Sequence, residues 1–263
     1  MNQHFKIIIT CGNAEKWIGT CLSSLILQTY TNWQALIIDD ASTDETNNII
    51  KKLIRDSNKF VLLRQEIKKP KILNYINFIK EIRPDDEDVL VFLDGDDWLS
   101  DKNVLAYLAE EYKKNTWITW GSFTEVNGKN PILFDDYSDC KIATCTRPVD
   151  AGWNTRNVWR YSHLKTAKYF LWKNIKNSSF LSEKDNQYFP AAVDVAFMFP
   201  MVEMAGPYHA KHIDRLMYVY NNGNRDSFMH IIPVRQKECF QELKKRNSYK
   251  PKTRTVLCNA KIK

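Results

Sequence analysis

Apolar and polar positions along the first hundred residues switch repeatedly between the strand and helix periods. Phe5–Thr10 (FKIIIT) is a short isoleucine-rich run of strand length, and Trp17, Ile18, Cys21, Leu22 and Leu25 then recur at helical spacing. Asn13 is placed to cap that helix, with Glu15 in its first turn. Gln34–Asp40 (QALIIDD) predicts a second strand, and Ser42 with Glu45 has capping-box spacing before a second helix through Ile49, Ile50, Leu53 and Ile54. Lys59–Leu63 predicts a third strand. Ile72, Tyr75, Ile76 and Ile79 predict a third helix, bounded by Pro70 and Pro84, and Val89–Leu93 a fourth strand. Beyond a helix over Lys102–Lys114 the pattern loosens. Trp117–Thr124 has strand character, and the residues that follow, to about 160, are aromatic and irregular. Tyr161–Ile175 reads as helical, Val193–Ala205 as an apolar helix, and Tyr208–Asp214 and Leu216–Tyr220 as strands.

Strand–helix alternation with short connections predicts an α/β fold with a mostly parallel central sheet flanked by helices. Ligands of such sheets sit at the carboxyl ends of the strands. The first strand ends at Thr10, the second at Asp39-Asp40 and the fourth at Asp94-Gly95-Asp96-Asp97, so three polar termini line one edge. Asp and Gly are also ordinary turn residues, and the last stretch alone is compatible with a solvated acidic turn. Its carboxylates nevertheless converge, because Asp94 and Asp96 point the same way in an extended chain. Paired carboxylates repel unless a cation lies between them, and oxygen donors select a hard ion such as Mg2+ or Mn2+.

Composition leaves that picture in place: 263 residues, 44% hydrophobic and 26% charged, are those of an ordinary globular protein. Apolar runs fall short of a bilayer span, and Met1–Thr10 lacks a signal peptide's layout. The six cysteines form no CxxC pair, so reduced thiols in a cytoplasmic setting are expected. Charge adds one feature. Residues 241–263 hold eight lysines and arginines against Glu242, which accounts for the whole net charge of +7. This basic segment reads as a solvated tail, with peripheral contact to a membrane surface as its alternative role.

Taken together, the strand Ile7-Ile8-Ile9-Thr10 followed by Asn13, the segments Ile37-Ile38-Asp39-Asp40-Ala41-Ser42-Thr43-Asp44 and Leu93-Asp94-Gly95-Asp96-Asp97-Trp98, and a late Asp194 resemble the family 2 glycosyltransferases of the GT-A fold. Gln28-Thr29-Tyr30-Thr31-Asn32-Trp33 resembles the family's usual approach to its second strand. The resemblance implies a nucleotide-sugar donor, a UDP-sugar first among them, a divalent cation and inversion at the anomeric carbon. It places Thr10, Asn13, Asp40, Asp94 and Gly95 beside the donor, Asp96 on the metal with Asp94 supporting it, and Asp194 as general base. Gly12 stands where the family often has an aromatic residue able to stack on the base, and Val193 where a glutamate often precedes the catalytic aspartate. The implied division is a catalytic domain over 1–235, with a nucleotide-sugar half (1–100) and an acceptor half (101–235), followed by the basic tail 236–263. The acceptor class, whether carbohydrate, lipid-linked or protein, is left open, as is the oligomeric state.

Lys71 and Asn74, on the third helix, are placed to approach the donor diphosphate. Trp98 and Trp153 are candidates to pack a sugar ring, His163 a substrate contact beside Lys165, and Arg225 a phosphate contact in a polar turn. His209 and His212 fall on opposite faces of a strand and are rejected as a metal pair. Two other functions fit less of the chain. A haloacid-dehalogenase-type phosphatase carries its DxD on the first strand, and a nucleic-acid-binding module needs an aromatic-basic stripe that only the tail's charge approaches.

Overall fold

The computed structural model describes residues 2–128, 133–135, 137, 142–143, 156, 159–224 and 233–253. Strands β1 (Phe5–Cys11), β2 (Trp33–Asp40), β3 (Phe60–Gln65) and β4 (Val89–Asp94) lie parallel in the order β3-β2-β1-β4. They are joined by helices α1 (Ile18–Ile26), α2 (Thr46–Ile54) and α3 (Lys71–Phe78). There follow β5 (Trp98–Leu99), α4 (Val104–Tyr112), β6 (Ile118–Val126), β7 (Ile142–Ala143), β8 (Lys165–Lys168), α5 (Tyr169–Lys173), α6 (Val193–His209), β9 (Ala210–Asn221) and α7 (Pro233–Lys245). β8 inserts between β4 and β6 antiparallel to both, and β9 runs parallel to β6 and antiparallel to β5. The sheet is thus parallel through its first half and mixed beyond it.

Strand periodicity sends alternate residues to opposite faces. Ile7, Ile9, Val91 and Leu93 pack with Leu22, Leu25 and Ile50 of α1 and α2 and with Leu105 and Leu108 of α4. Ile8, Leu36, Ile38, Leu90 and Phe92 pack with Ile72 and Tyr75 of α3 and with Phe197 and Met201 of α6. Helices therefore cover both faces, and the strand ends are left to meet ligands. Gln28-Thr29-Tyr30 braces this frame: Gln28 Nε2 donates to Asp101 O at 2.7 Å, and Gln28 Oε1 accepts from the Leu105 N–H at 3.0 Å.

Several local expectations give way to tertiary contacts. Asn13 caps no helix. Its φ is 50°, α1 starts five residues later without a side-chain cap, and Asn13 Oδ1 accepts from the Thr43 N–H at 2.9 Å. The Ser42–Glu45 box does not form either. Ser42 Oγ accepts from the Asn13 N–H at 3.0 Å, while Asp44 Oδ1 takes the first α2 amide, that of Thr46, at 3.0 Å. Both departures have one cause: Asn13 and Ser42 bond across the loops after β1 and β2 in preference to their own helices. The helix expected over Tyr161–Ile175 is instead strand β8 and the single-turn helix α5, because this stretch pairs on both edges, with β4 and β6. The two strands expected after Tyr208 are one, β9, bulged against β6 near Gly121–Phe123.

The basic segment from residue 236 also differs from a solvated tail, since α7 straddles the expected boundary. Cys239 and Leu243 of α7 are buried in the core. Arg156 forms a two-pronged ion pair with Glu203 of α6, at 2.5 and 2.8 Å, and donates to Leu243 O at 2.6 Å. Glu203 also accepts from the Tyr249 N–H at 2.9 Å, and Met204 O accepts from the Lys252 N–H at 2.7 Å. Through Lys252 the basic residues belong to the fold. Among the described residues no helix is long and apolar enough to cross a membrane.

Candidate active site

The carboxyl ends of β1, β2 and β4 open onto a cavity of about 670 Å3 whose far wall is the start of α6. Its lining includes Thr10, Gly12, Asp40, Lys68, Lys71, Asn74, Asp94 and Asp96 at the sheet edge. Phe123, Glu125, Trp159, His163, Lys165, Asp194 and Tyr220 lie opposite, with Gln236 of α7. Parallel register brings these groups together: Thr10 stands beside Asp94, and Cys11 beside Asp39.

At the β2 end the two aspartates divide the work. Asp39 is fully buried and holds its own loop, accepting from the Ser42 N–H at 3.1 Å and Asn47 Nδ2 at 2.9 Å. Asp40 turns into the cavity, and its Oδ1 accepts from Gln65 Nε2 at 3.2 Å, the Lys69 N–H at 3.1 Å and Asn74 Nδ2 at 3.2 Å. Asn74 therefore lines the cavity and positions Asp40.

The β4 end carries the acidic cluster. Burial alone would raise the Asp94 carboxyl, but the paired Lys71 ammonium, then Lys165, outweigh it and hold Asp94 at about 2. Desolvation would lower the half-buried Lys71, but Asp94 outweighs it and raises the ammonium. Lys71 acts on Asp96 too, but more weakly. Burial, and then the Asp94 charge, push its carboxyl up, while Asn224 Nδ2 donates to its Oδ2 at 2.8 Å. Asp97 is held higher still by burial, Asp96 and Asp94. It accepts from the Tyr218 hydroxyl and from the Asn221 N–H at 2.8 Å, which ties the acidic turn to β9. Gly95 reaches no cavity wall. A Cβ on it would stand 2.4 Å from Cys11 Cβ, so glycine lets β1 and the β4 turn close up, with the Gly95 N–H donating to Thr10 O at 2.9 Å.

Two carboxylates with like charge, one destabilised by the other, suit a hard divalent cation that also takes oxygens from a diphosphate. Among the described residues no group of three or more His, Cys, Asp or Glu could hold a metal by itself. Asp94 and Asp96 would thus supply two of the oxygens such a cation needs.

Across the cavity, Asp194 sits in the first turn of α6, after Ala192 in a left-handed conformation (φ 53°). Asp194 Oδ1 accepts from the Val195 N–H at 2.9 Å and Oδ2 lies 3.5 Å from Lys165 Nζ. His163 stacks on Tyr218 at 4.5 Å and on Tyr220 at 5.5 Å, and its Nδ1 lies 3.1 Å from Lys165 Nζ. Burial, and then Lys165, hold the imidazole well below its usual range. An ammonium has donors only, so Nδ1 accepts and the neutral ring carries its proton on Nε2.

Of the expected site residues, Thr10, Asp40, Lys71, Asn74, Asp94, Asp96, His163 and Asp194 share this cavity. Asn13 and Gly95 shape its loops without lining it. Trp98 is 1% exposed and donates to Tyr137 OH at 3.0 Å, so it is core rather than a sugar platform. Trp153 and Arg225 lie outside the described residues. Cavity residues that the motifs did not single out include Glu125, Gln236 and Asn224. Asn224 carried a signal in the polar turn Asn221-Asn222-Gly223-Asn224, whereas Gln236 was hidden in the presumed tail.

Comparison with known proteins gives a consistent result. The profile described as Glycosyl transferase family 2 matches residues 6–179. The Escherichia coli UDP-Glc:alpha-D-GlcNAc-diphosphoundecaprenol beta-1,3-glucosyltransferase WfgD is 26% identical over 188 residues, covering 67% of this chain and 71% of that protein. Among solved structures, S. aureus TarS 1-349 in complex with UDP-GlcNAc superimposes with a TM-score of 0.59 at 17% identity, covering 92% of this chain and 65% of that one. The mannosyltransferase PcManGT from Pyrobaculum calidifontis, in complex with GDP-Man and Mn2+, superimposes at 0.56 with 14% identity, covering 92% and 63%. The chain spans just under two thirds of both solved chains. At these identities the structural likeness establishes the GT-A-like fold.

Proposed function

This chain belongs to the family 2 glycosyltransferases, and from that premise we propose that it is an inverting, metal-assisted enzyme. It moves a hexosyl or N-acetylhexosaminyl group from a nucleoside-diphosphate sugar to an acceptor hydroxyl. The observation that carries this reading is that Asp40, Asp94, Asp96 and Asp194 face one cavity from two sides. Asp40, fixed by Gln65, Asn74 and the Lys69 amide, presents acceptor oxygens to the nucleoside base. Lys71 and Lys68 supply cationic charge on the diphosphate side. Asp96, with Asp94 in support, would hold Mn2+ or Mg2+, and the bound cation would offset charge on the departing nucleoside diphosphate. Asp194 takes the proton of the acceptor hydroxyl as that oxygen attacks the anomeric carbon from the face opposite the leaving group.

A UDP-sugar is the first donor to test, with GDP-mannose second. The relative and solved structures compared above use or hold UDP-Glc, UDP-GlcNAc and GDP-Man, and Gly12 offers no ring for base stacking. The acceptor is a carbohydrate, a lipid-linked molecule or a protein, reached from the cytoplasm. The test is a panel of nucleotide sugars with Mn2+ or Mg2+, scored by release of nucleoside diphosphate, followed by Asp194→Asn. Asn keeps the size of Asp and an oxygen to accept from the Val195 N–H, so the variant should fold and bind donor while transfer falls about 100- to 10,000-fold. Near-wild-type transfer at saturating acceptor would remove Asp194 from the mechanism.

A further inference from the structure

Lys165 is carried by β8, the strand inserted between β4 and β6, where it pairs with Phe92, two residues before Asp94. It is 5% exposed, yet it lines the cavity. Burying an ammonium is costly unless charge or hydrogen bonds compensate. Its nearest partners are Asp194 Oδ2 at 3.5 Å and His163 Nδ1 at 3.1 Å, and its charge also helps depress Asp94. Asp194 is the more exposed member, its side chain 36% accessible. One of its oxygens accepts from the Val195 N–H, and the other faces the ammonium. At 3.5 Å this contact is longer than the 2.7–2.9 Å or so of a tight charge-assisted bond. Lys165 thus supplies a fixed field and direction without fully occupying the carboxylate oxygen. His163, wedged against Tyr218 and Tyr220, stops the lysine head from swinging away.

We propose that Lys165 is the positioning residue of the general base. It holds the Asp194 carboxylate turned toward the acceptor hydroxyl, and His163 in turn holds Lys165. The inference rests on the assignment of Asp194 as the base and adds the group that orients it. Lys165 touches neither reacting atom in this scheme, so its loss should appear in turnover and not in donor capture.

The test uses the full chain with the donor identified by the panel. Lys165→Met is compared with wild type for folding by circular dichroism, for donor affinity by calorimetry, and for kcat and acceptor KM by transfer. Expected are an intact fold, unchanged donor affinity and a kcat lower by about 10- to 100-fold, the scale of a small misplacement of a catalytic group. Lys165→Arg should recover part of that loss, and adding Lys165→Met to Asp194→Asn should cost little more. If the methionine variant does not fold, Lys165→Gln is measured in the same way. Wild-type kcat, full additivity with Asp194→Asn, or a loss confined to donor affinity would each overturn the proposal; the last would make Lys165 a ligand of the donor phosphates. If Asp194→Asn itself keeps transfer, the base assignment fails. If it abolishes transfer while Lys165→Met does not, only the positioning role fails.

Discussion

Asp96 and Asp94 are neighbours with opposite electrostatic histories. Lys71 holds Asp94 ionised, while Asp96 is burdened by burial and by Asp94. Asp96→Asn keeps the shape and the Asn224 contact but removes the charge a cation needs. Metal-dependent donor affinity should fall on the order of tenfold or more, the worth of one lost charged contact. Calorimetry with and without chelator reads this directly, and unchanged affinity with unchanged chelator sensitivity would move the cation elsewhere. His163 gives a prediction in pH. Its folded-state value lies below the unfolded value near 6.5, so on acidification the unfolded chain takes a proton that the folded chain refuses. Its contribution to stability is therefore full above about pH 6.5 and is lost as pH falls below it, by at most about 1.4 kcal/mol per pH unit. His163→Phe, which keeps a ring against Tyr218, should make unfolding temperature depend less steeply on pH between about 7.5 and 5.5. Equal slopes for the two proteins would refute this.

At the level of elements, Gly95 marks where β1 and the β4 turn touch. Gly95→Ala drives its new Cβ against Cys11 Cβ and the β1 backbone, and overpacking of this kind costs about 1–3 kcal/mol. Chemical denaturation should show that loss, and Cys11→Gly should return part of it. The glycine was visible in the motif, but its reason was not, because contact between two strand ends is invisible to spacing along one chain. The same limit explains the other gaps. Strands β1–β4 and helices α1–α4 were legible because each carries its own period, and Asp40, Asp94, Asp96 and Asp194 because motifs placed them. β8 was read as helix because its two-sided pairing, not its sequence period, makes it a strand. Asn13 and Ser42 were read as caps because their true partners lie some thirty residues away.

Across the whole molecule, the Arg156–Glu203 pair fastens α6, which carries Asp194, to α7 and to the segment through Lys252. Removing one member of a buried pair costs about 3–5 kcal/mol, so Glu203→Gln should lower the unfolding free energy by that order. A chain ending at Gln241 loses Leu243, Arg246 and Tyr249 and should be less stable and less active than the full chain. Equal stability of the two would return residues 242–253 to the status of a tail. The sheet order has a further consequence, for synthesis. β9 lies between β5 and β6, so a nascent chain presents the β5 edge and one edge of β6 unpaired until Asn221 has left the ribosome. At roughly 5–20 residues per second that interval lasts several seconds. Open strand edges recruit other chains, so slower translation of the middle of this message should lower the soluble yield of an enzyme whose finished form is unchanged.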